Sequence, residues 1–304
     1  MKVLVLSGGN SPEREVSLRS GENIRSALRD SGHKVYDYDP AGGYGGLDEY
    51  VGKVDVVFPI LHGAGGEDGE IQEELEARQF NYLGSGPRAS ADCFNKVKTK
   101  EILNKLSILT PKYEIVTADS FAGSALTKKP YVLKPIEGGS TIDAFIVRAP
   151  DSAQIDVDIL KRYKSMLLEE LVDGKEITVP VLGNKSLPVI EIIPPAGREF
   201  DYENKYNGES QELCPPKNVD EGIQRRAQQL ALQAHRALGA RHLTRSDFIV
   251  DSGGQIWALE INTMPGMTAE SLYPKSALAA GINIAQLVDR FTEMSLQPTK
   301  STSL

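Results

Sequence analysis

Apolar runs and polar, glycine-rich breaks alternate along the first part of the chain. Val3-Leu4-Val5-Leu6 is followed by Ser7-Gly8-Gly9-Asn10-Ser11 and then by a segment with apolar positions at Ile24 and Leu28, a strand–turn–helix pattern. The run 54–61 repeats it, ending in His62-Gly-Ala-Gly-Gly-Glu-Asp-Gly69. Uninterrupted apolar strands alternating with helices predict a parallel sheet covered on both faces. Ligands of such sheets collect beyond the carboxyl ends of the strands, where Glu13 and His62 fall. A first unit, 1–87, closes at Gly84-Ser85-Gly86-Pro87. A helix over 95–106, stopped before Pro111, opens a central unit, 88–173, with strands over 131–134 and 166–169. The third unit, 174–304, starts with antiparallel strands over 177–182 and 187–193. The polar stretch 197–216 then reads as a long mobile loop, because structureless loops of that length are usually functional or disordered. A helix over 220–238, apolar at Ile223, Ala227, Leu230, Ala234 and Leu238, and a short helix over 284–291 close the fold, with a frayed tail from Gln297. The class is α/β, turning to α+β after the first unit.

The segment from Arg245 to Gly266 reads as two short strands joined by a turn. Period-two alternation sets Trp257, Leu259 and Ile261 against Ala258, Glu260 and Asn262, and the first strand brings Asp247 beside the polar face. Two carboxylates and an amide oxygen are hard donors of the kind magnesium takes, with waters and phosphates completing the shell. A solvated hairpin would also carry a Glu-x-Asn; Arg245 and the Pro265-Gly266 turn in the same stretch favour a site. Lys134 ends a strand beside Gly138-Gly139-Ser140-Thr141, where glycines leave backbone N–H groups open to phosphate. This is neither a P-loop nor a Gly-x-Gly-x-x-Gly turn.

Composition narrows the partners. The 304 residues are 40% hydrophobic and 25% charged, as in globular chains, and contain no apolar run long enough to span a bilayer. A net charge of −8 argues against a general nucleic-acid binder. The apolar N-terminal run is too short for a signal peptide, so a cytoplasmic location is expected. Cys93 and Cys214 are far apart, without metal-ligand spacing, and are expected to be packing residues.

Taken together, the segments Gly8 to Leu18, Leu61 to Gly69, Gly84-Ser85-Gly86, Lys134-Pro135 with Gly139-Ser140-Thr141, Phe200 to Tyr206, Cys214-Pro215, and Leu259 to Thr268 with Ser271-Leu272 resemble the D-alanine–D-alanine ligases of the ATP-grasp superfamily. The resemblance runs from Lys2 to about Arg290. It implies an ATP-grasp fold behind an N-terminal parallel-sheet domain. It also implies a reaction in which ATP phosphorylates the carboxylate of one D-alanine and the amine of a second attacks the acyl phosphate, for peptidoglycan precursor synthesis.

By that resemblance Lys96 and Lys134 hold ATP phosphates, Glu169 with the hinge backbone at Leu171 and Val172 reads adenine, and Glu176 takes the ribose. Asp247, Glu260 and Asn262 match ligands of two Mg2+ ions, which Mn2+ could replace, with Glu260 bridging them. Glu13 and His62 match the site of the first D-alanine, and Lys205, Ser271 and the Leu272 backbone that of the second. Ser140 and Tyr206 complete a hydrogen-bonded triad with Glu13, while Arg245 and the Gly266 N–H stabilise the oxyanion. A tyrosine at 206, where lactate-using relatives carry histidine, favours the dipeptide product. A homodimer is expected, as in relatives. One departure stands out. Asp143 replaces a glycine of the phosphate loop, and its charge is expected to weaken ATP binding by repulsion. Alternatives are a D-lactate, D-serine or other ATP-grasp ligase, and a catalytically idle ATP-binding homologue.

Overall fold

The computed structural model describes residues 1–150, 155–195 and 210–297. Strands β1 (Lys2–Leu6), β2 (Lys34–Tyr38) and β3 (Val56–Pro59) form a parallel sheet in the order β2-β1-β3. Side-chain alternation splits β1 between two cores. Val3 and Val5 face α1 (Arg14–Asp30), while Leu4 and Leu6 face Ile71 and Leu75 of α2 (Glu70–Ala77). The expected two-sided cover is therefore present.

Helices α3 (Pro87–Phe94) and α4 (Lys96–Lys105) follow. Asn95 caps α4 by accepting from the Lys98 N–H at 3.1 Å, which sets the start of the helix expected over 95–106. Strands β4 (Tyr113–Val116), β5 (Tyr131–Pro135), β6 (Phe145–Val147) and β7 (Met166–Glu170) make an antiparallel sheet, β4-β7-β5-β6, with α5 (Val157–Tyr163) packed on it.

The third sheet, also antiparallel, runs β11-β10-β8-β12-β13, with β9 hydrogen-bonded to β8. Its strands are β8 (Lys175–Leu182), β9 (Lys185–Ser186), β10 (Ile190–Ile193), β11 (Gln211–Leu213), β12 (Leu243–Val250) and β13 (Ile256–Asn262). The strand expected over 187–193 is thus shorter, and β9 precedes it. Helix α6 (Glu221–Ala237) lays Ala227, Ala231 and Ala234 on this sheet. The stretch expected to be a loop over 197–216 contains β11, which pairs Gln211 with Ile193 and Leu213 with Glu191. Positions 197–209, Lys205 and Tyr206 among them, lie outside the described residues.

The chain ends in α7 (Leu272–Ala279) and α8 (Ile284–Ser295). Helix α8 reaches Ser295, one turn beyond the expected end, and carries Leu287, Val288 and Phe291 back to the first sheet, where Phe291 meets Phe58 with ring centroids 6.3 Å apart. No helix among the described residues is long and apolar enough to cross a membrane. Cys93 is buried, Cys214 partly so, and both are free thiols.

Candidate active site

Two clefts meet where the three sheets converge. The inner cleft lies over the carboxyl ends of β1 and β3 and is lined by Glu13, His62, Ser140, Arg245, Asn262 and Ser271 among others. The outer cleft lies between the central and third sheets, against Lys134, Leu171, Glu176, Ile192, Asp247 and Leu259. Lys96, Gly138, Gly139 and Glu260 line both.

The floor of the inner cleft is built by hydroxyls that tie neighbouring loops together. Ser17 accepts from the Gly8 N–H at 2.8 Å and donates to the Ile60 carbonyl at 2.6 Å, while Ser11 donates to the His62 carbonyl at 2.6 Å. Gly63 sits at φ +72° against Glu13, where a Cβ would lie 2.8 Å from Oε2, so both conformation and space call for glycine. Glu13 is 6% exposed and accepts from the Ser140 hydroxyl, joining the first unit to the phosphate loop. His62 is buried with Nε2 3.3 Å from the Ser20 hydroxyl, and burial lowers its pKa to about 4, so the ring is neutral. Glu67, which the sequence reading left unassigned, is buried in the same wall and accepts from the Gly63 N–H at 2.7 Å. Burial, and next the charge of Glu13, push its pKa up.

The far wall is the start of α7. Ser271, its N-cap, accepts from the Thr268 N–H at 3.0 Å, and the approach is close enough that a Cβ on Gly266 would lie 2.9 Å from the Ser271 hydroxyl. Leu272 opens the helix, and a helix N-terminus presents N–H groups and positive potential to a carboxylate.

The oxygen-rich hairpin is β12–β13, and its alternation differs from expectation. A bulge between Asp247 and Phe248 pairs Asp247 with Glu260 but Phe248 with Ala258. Two residues on β13 then oppose one on β12. Ile256 and Ala258 are buried before the bulge and Ile261 after it, so Leu259 and Glu260 both line the outer cleft, while Glu260 and Asn262 share the inner one. Asp247 stands directly across from Glu260, and like charges so placed repel. Arg245 forks onto Asp247, Nε to Oδ1 at 2.9 Å and an Nη to Oδ2 at 2.8 Å, and Thr178 donates to the same Oδ1 at 2.5 Å. The residues expected to serve the oxyanion and the metal therefore share one ion pair. The Asn262 Oδ1 accepts from the Met264 N–H at 2.9 Å. An all-oxygen donor set holding a facing carboxylate pair suits a hard divalent cation.

In the outer cleft Lys96 donates from Nζ to the Gly138 carbonyl at 2.6 Å, and burial lowers its pKa. Glu169 lines the same cleft between two lysines. Its Oε2 lies 2.7 Å from Lys134 Nζ and its Oε1 2.5 Å from Lys100 Nζ, so both oxygens face lysines. Burial works against the charge of Glu169, but Lys134 and Lys100 outweigh it and hold the pKa low. The Leu171 N–H donates to the Pro130 carbonyl at 3.0 Å, which leaves the carbonyl as the Leu171 backbone group for a hinge contact; Val172 and Glu176 line the cleft beside it.

Asp143 turns toward α5. Its carboxylate accepts from the Tyr163 hydroxyl at 2.6 Å and from Arg162 at 3.3 Å, both at the end of α5. It keeps the backbone conformation a glycine would favour, φ +54°, beside Ser140 at +52° and Thr141 at +60°. The charge that was expected to oppose phosphate thus has a hydroxyl donor and a guanidinium beside it on α5.

Comparison with known proteins decides the family. Residues 102–293 match the model described as D-ala D-ala ligase C-terminus, and residues 45–85 the one described as D-ala D-ala ligase N-terminus. The chain belongs to the D-alanine–D-alanine ligase family. It is 41% identical to the D-alanine–D-alanine ligase of Gloeobacter violaceus over 97% of this chain and 100% of that one. It is equally 41% identical to that of Syntrophobacter fumaroxidans, over 98% of each. The solved ligase from Bacillus anthracis in complex with ATP superposes with a TM-score of 0.81 at 29% identity, covering 97% of each chain. Another structure of that ligase gives 0.83 at 31% identity, again over 97% of each.

Proposed function

We propose that this family member joins two D-alanine molecules at the expense of ATP, with the dipeptide serving peptidoglycan precursor synthesis. The observation that carries the reading is the shared wall of the two clefts. Lys96, Gly138, Gly139 and Glu260 face both, so a phosphoryl group crossing from the outer to the inner cleft passes them. ATP fits the outer cleft, with Lys96 and Lys134 at its phosphates, Leu171 and Val172 at adenine and Glu176 at ribose.

A carboxylate oxygen of the first D-alanine attacks the γ-phosphorus as the bond to ADP breaks. The acyl phosphate so formed is a far better acyl donor than the carboxylate. The neutral amine of the second D-alanine attacks the acyl carbon, phosphate departs with the electrons of the C–O bond, and the proton lost from the nitrogen leaves with the phosphate. Glu13 receives the ammonium of the first substrate, held in place by Ser140. Neutral His62 lies beside it. Ser271 and the Leu272 N–H at the start of α7 receive the carboxylate of the second, together with Lys205. Arg245 and the Gly266 N–H serve the tetrahedral oxyanion, where charge develops during attack. Tyr206 joins the Glu13–Ser140 pair.

Asp247, Glu260 and Asn262 would hold the Mg2+ ions. Such ions, when bound, neutralise charge on the transferring phosphoryl group. Supporting this reading, the three donors are oxygens and two of them are carboxylates in direct cross-strand register. The three sheets fit a division into units at 1–87, 88–173 and 174–304, and a cytoplasmic homodimer completes the reading.

The test is phosphate release from ATP with D-alanine, D-lactate, D-serine or L-alanine as substrate, the product identified by mass. Release is expected with D-alanine, yielding the dipeptide, and is expected to stop with a chelator and return with excess Mg2+. A chain silent with every substrate is the idle homologue; a chain preferring another acceptor belongs to the alternative ligases.

A further inference from the structure

Lys100 takes no part in the mechanism above, yet it is the most completely buried charged side chain of the chain's outer site, at 0% exposure. It lies one helical turn after Lys96 on the same face of α4. Lys96 lines the cleft, whereas Lys100 stands behind it. The ammonium of Lys100 is surrounded by acceptors: Glu169 Oε1 at 2.5 Å, the Thr110 hydroxyl at 2.5 Å and the Pro111 carbonyl at 3.4 Å, with the Tyr113 ring centroid 5.3 Å away. The opposite oxygen of Glu169 meets Lys134, which does line the cleft. A buried lysine without function costs desolvation that apolar packing would avoid.

We propose that Lys100 is a positioning residue for nucleotide binding: by sharing Glu169 it leaves Lys134 with positive charge to spend on phosphate. A carboxylate paired with Lys134 alone would neutralise it. With Lys100 on the other oxygen, the three groups carry one net positive charge, and it is directed at the cleft by the lysine in front. Glu169 thus acts as a bridge between lysines rather than as a direct reader of adenine. The inference rests on the outer cleft being the ATP site, and the experiment separates the two.

ATP affinity is measured by direct titration, with steady-state KM for ATP and D-alanine alongside and thermal denaturation to establish folding. Lys134→Met tests the nucleotide reading: unchanged ATP affinity there overturns that reading. Given its loss, Lys100→Met is expected to weaken ATP binding by about tenfold while leaving KM for D-alanine unchanged. The double variant Lys100→Met with Glu169→Gln, which restores the net charge, is expected to recover affinity to within about threefold of the parent. A purely structural role for Lys100 predicts no recovery. Parental affinity in folded Lys100→Met, or a double variant no better than the single, overturns the proposal. Should Lys100→Met fail to fold, Glu169→Gln alone decides: affinity at least equal to the parent supports the proposal, and a loss of about tenfold overturns it.

Discussion

At the scale of single residues, Asp143 illustrates how a substitution changes meaning once its neighbours are known. A charge close to a phosphate path is repulsive when it points into the path. Here the Tyr163 hydroxyl and Arg162 draw it onto α5, while Ser140 is tied to Glu13, so the loop is fastened on both sides. The same loop carries three left-handed non-glycine residues, a conformation that persists only where surroundings hold it. Removing the fastening is therefore expected to loosen ATP. Tyr163→Phe should raise the ATP dissociation constant by about threefold, the low end of what a typical intramolecular hydrogen bond contributes. Asp143→Gly should fail to tighten binding. Tighter ATP binding by Asp143→Gly in a nucleotide titration would restore the repulsion account.

Among elements, α4 does more than the amphipathic pattern suggests. Its N-cap Asn95 accepts from the Lys98 N–H and donates through its amide to Glu137 at 2.9 Å, so one side chain both starts the helix and holds the phosphate loop. The Lys96 N–H donates to the Ile136 carbonyl at 2.9 Å, adding a backbone tie at the same point. Asn95→Ala is expected to cost about 1 kcal/mol of stability as a lost cap. It should also raise KM for ATP more than KM for D-alanine, because Lys96 loses its aim. Denaturant titration and steady-state kinetics check the two effects separately; equal changes in both KM values would make the cap merely structural. The β12–β13 bulge works at the same scale. By placing Leu259 and Glu260 on one side, it lets a single strand furnish an apolar wall and a carboxylate to the outer cleft.

For the whole molecule, three histidines shielded from water contribute to the response to acid. Burial lowers His62, His235 and His242 to about 4, each from 6.5. Between pH 6.5 and 4 the unfolded chain binds protons that the native chain refuses, so stability falls as pH falls through that window; above it these groups add no slope. Each contributes at most about 1.4 kcal/mol per pH unit. Glu67 runs the other way. Its raised pKa stabilises the native state at low pH and loses that contribution as pH rises past the ordinary carboxyl range. Three histidines outweigh one carboxyl, and the thermal midpoint should be lower at pH 4.5 than at pH 7. His235→Gln, at a ring 2.9 Å from the Thr244 hydroxyl and remote from both clefts, should flatten that dependence. A midpoint profile with the parental slope would refute the assignment.

Much of this was legible along the chain because it depends on local order. Apolar runs, glycine turns and capping residues determined where β1, β3, α4 and α6 form, since period and propensity act over a few residues. The spaced motifs around Glu13, His62, Lys134 and Glu260 carried the family. Other features are set by residues far apart in sequence. The bulge in β13 needs its partner strand to define an extra residue. That α8 covers the first sheet, with Phe291 on Phe58, depends on packing across more than half the chain, which no periodicity reports. Lys100 looks like an ordinary helix lysine until folding buries it against Glu169, and Asp143 looks repulsive until α5 arrives. Sequence by itself determined which chemical groups the protein has and the order in which they are strung. Only the tertiary structure decided which charges meet, because electrostatic pairing depends on distance and burial, and both are properties of the folded chain.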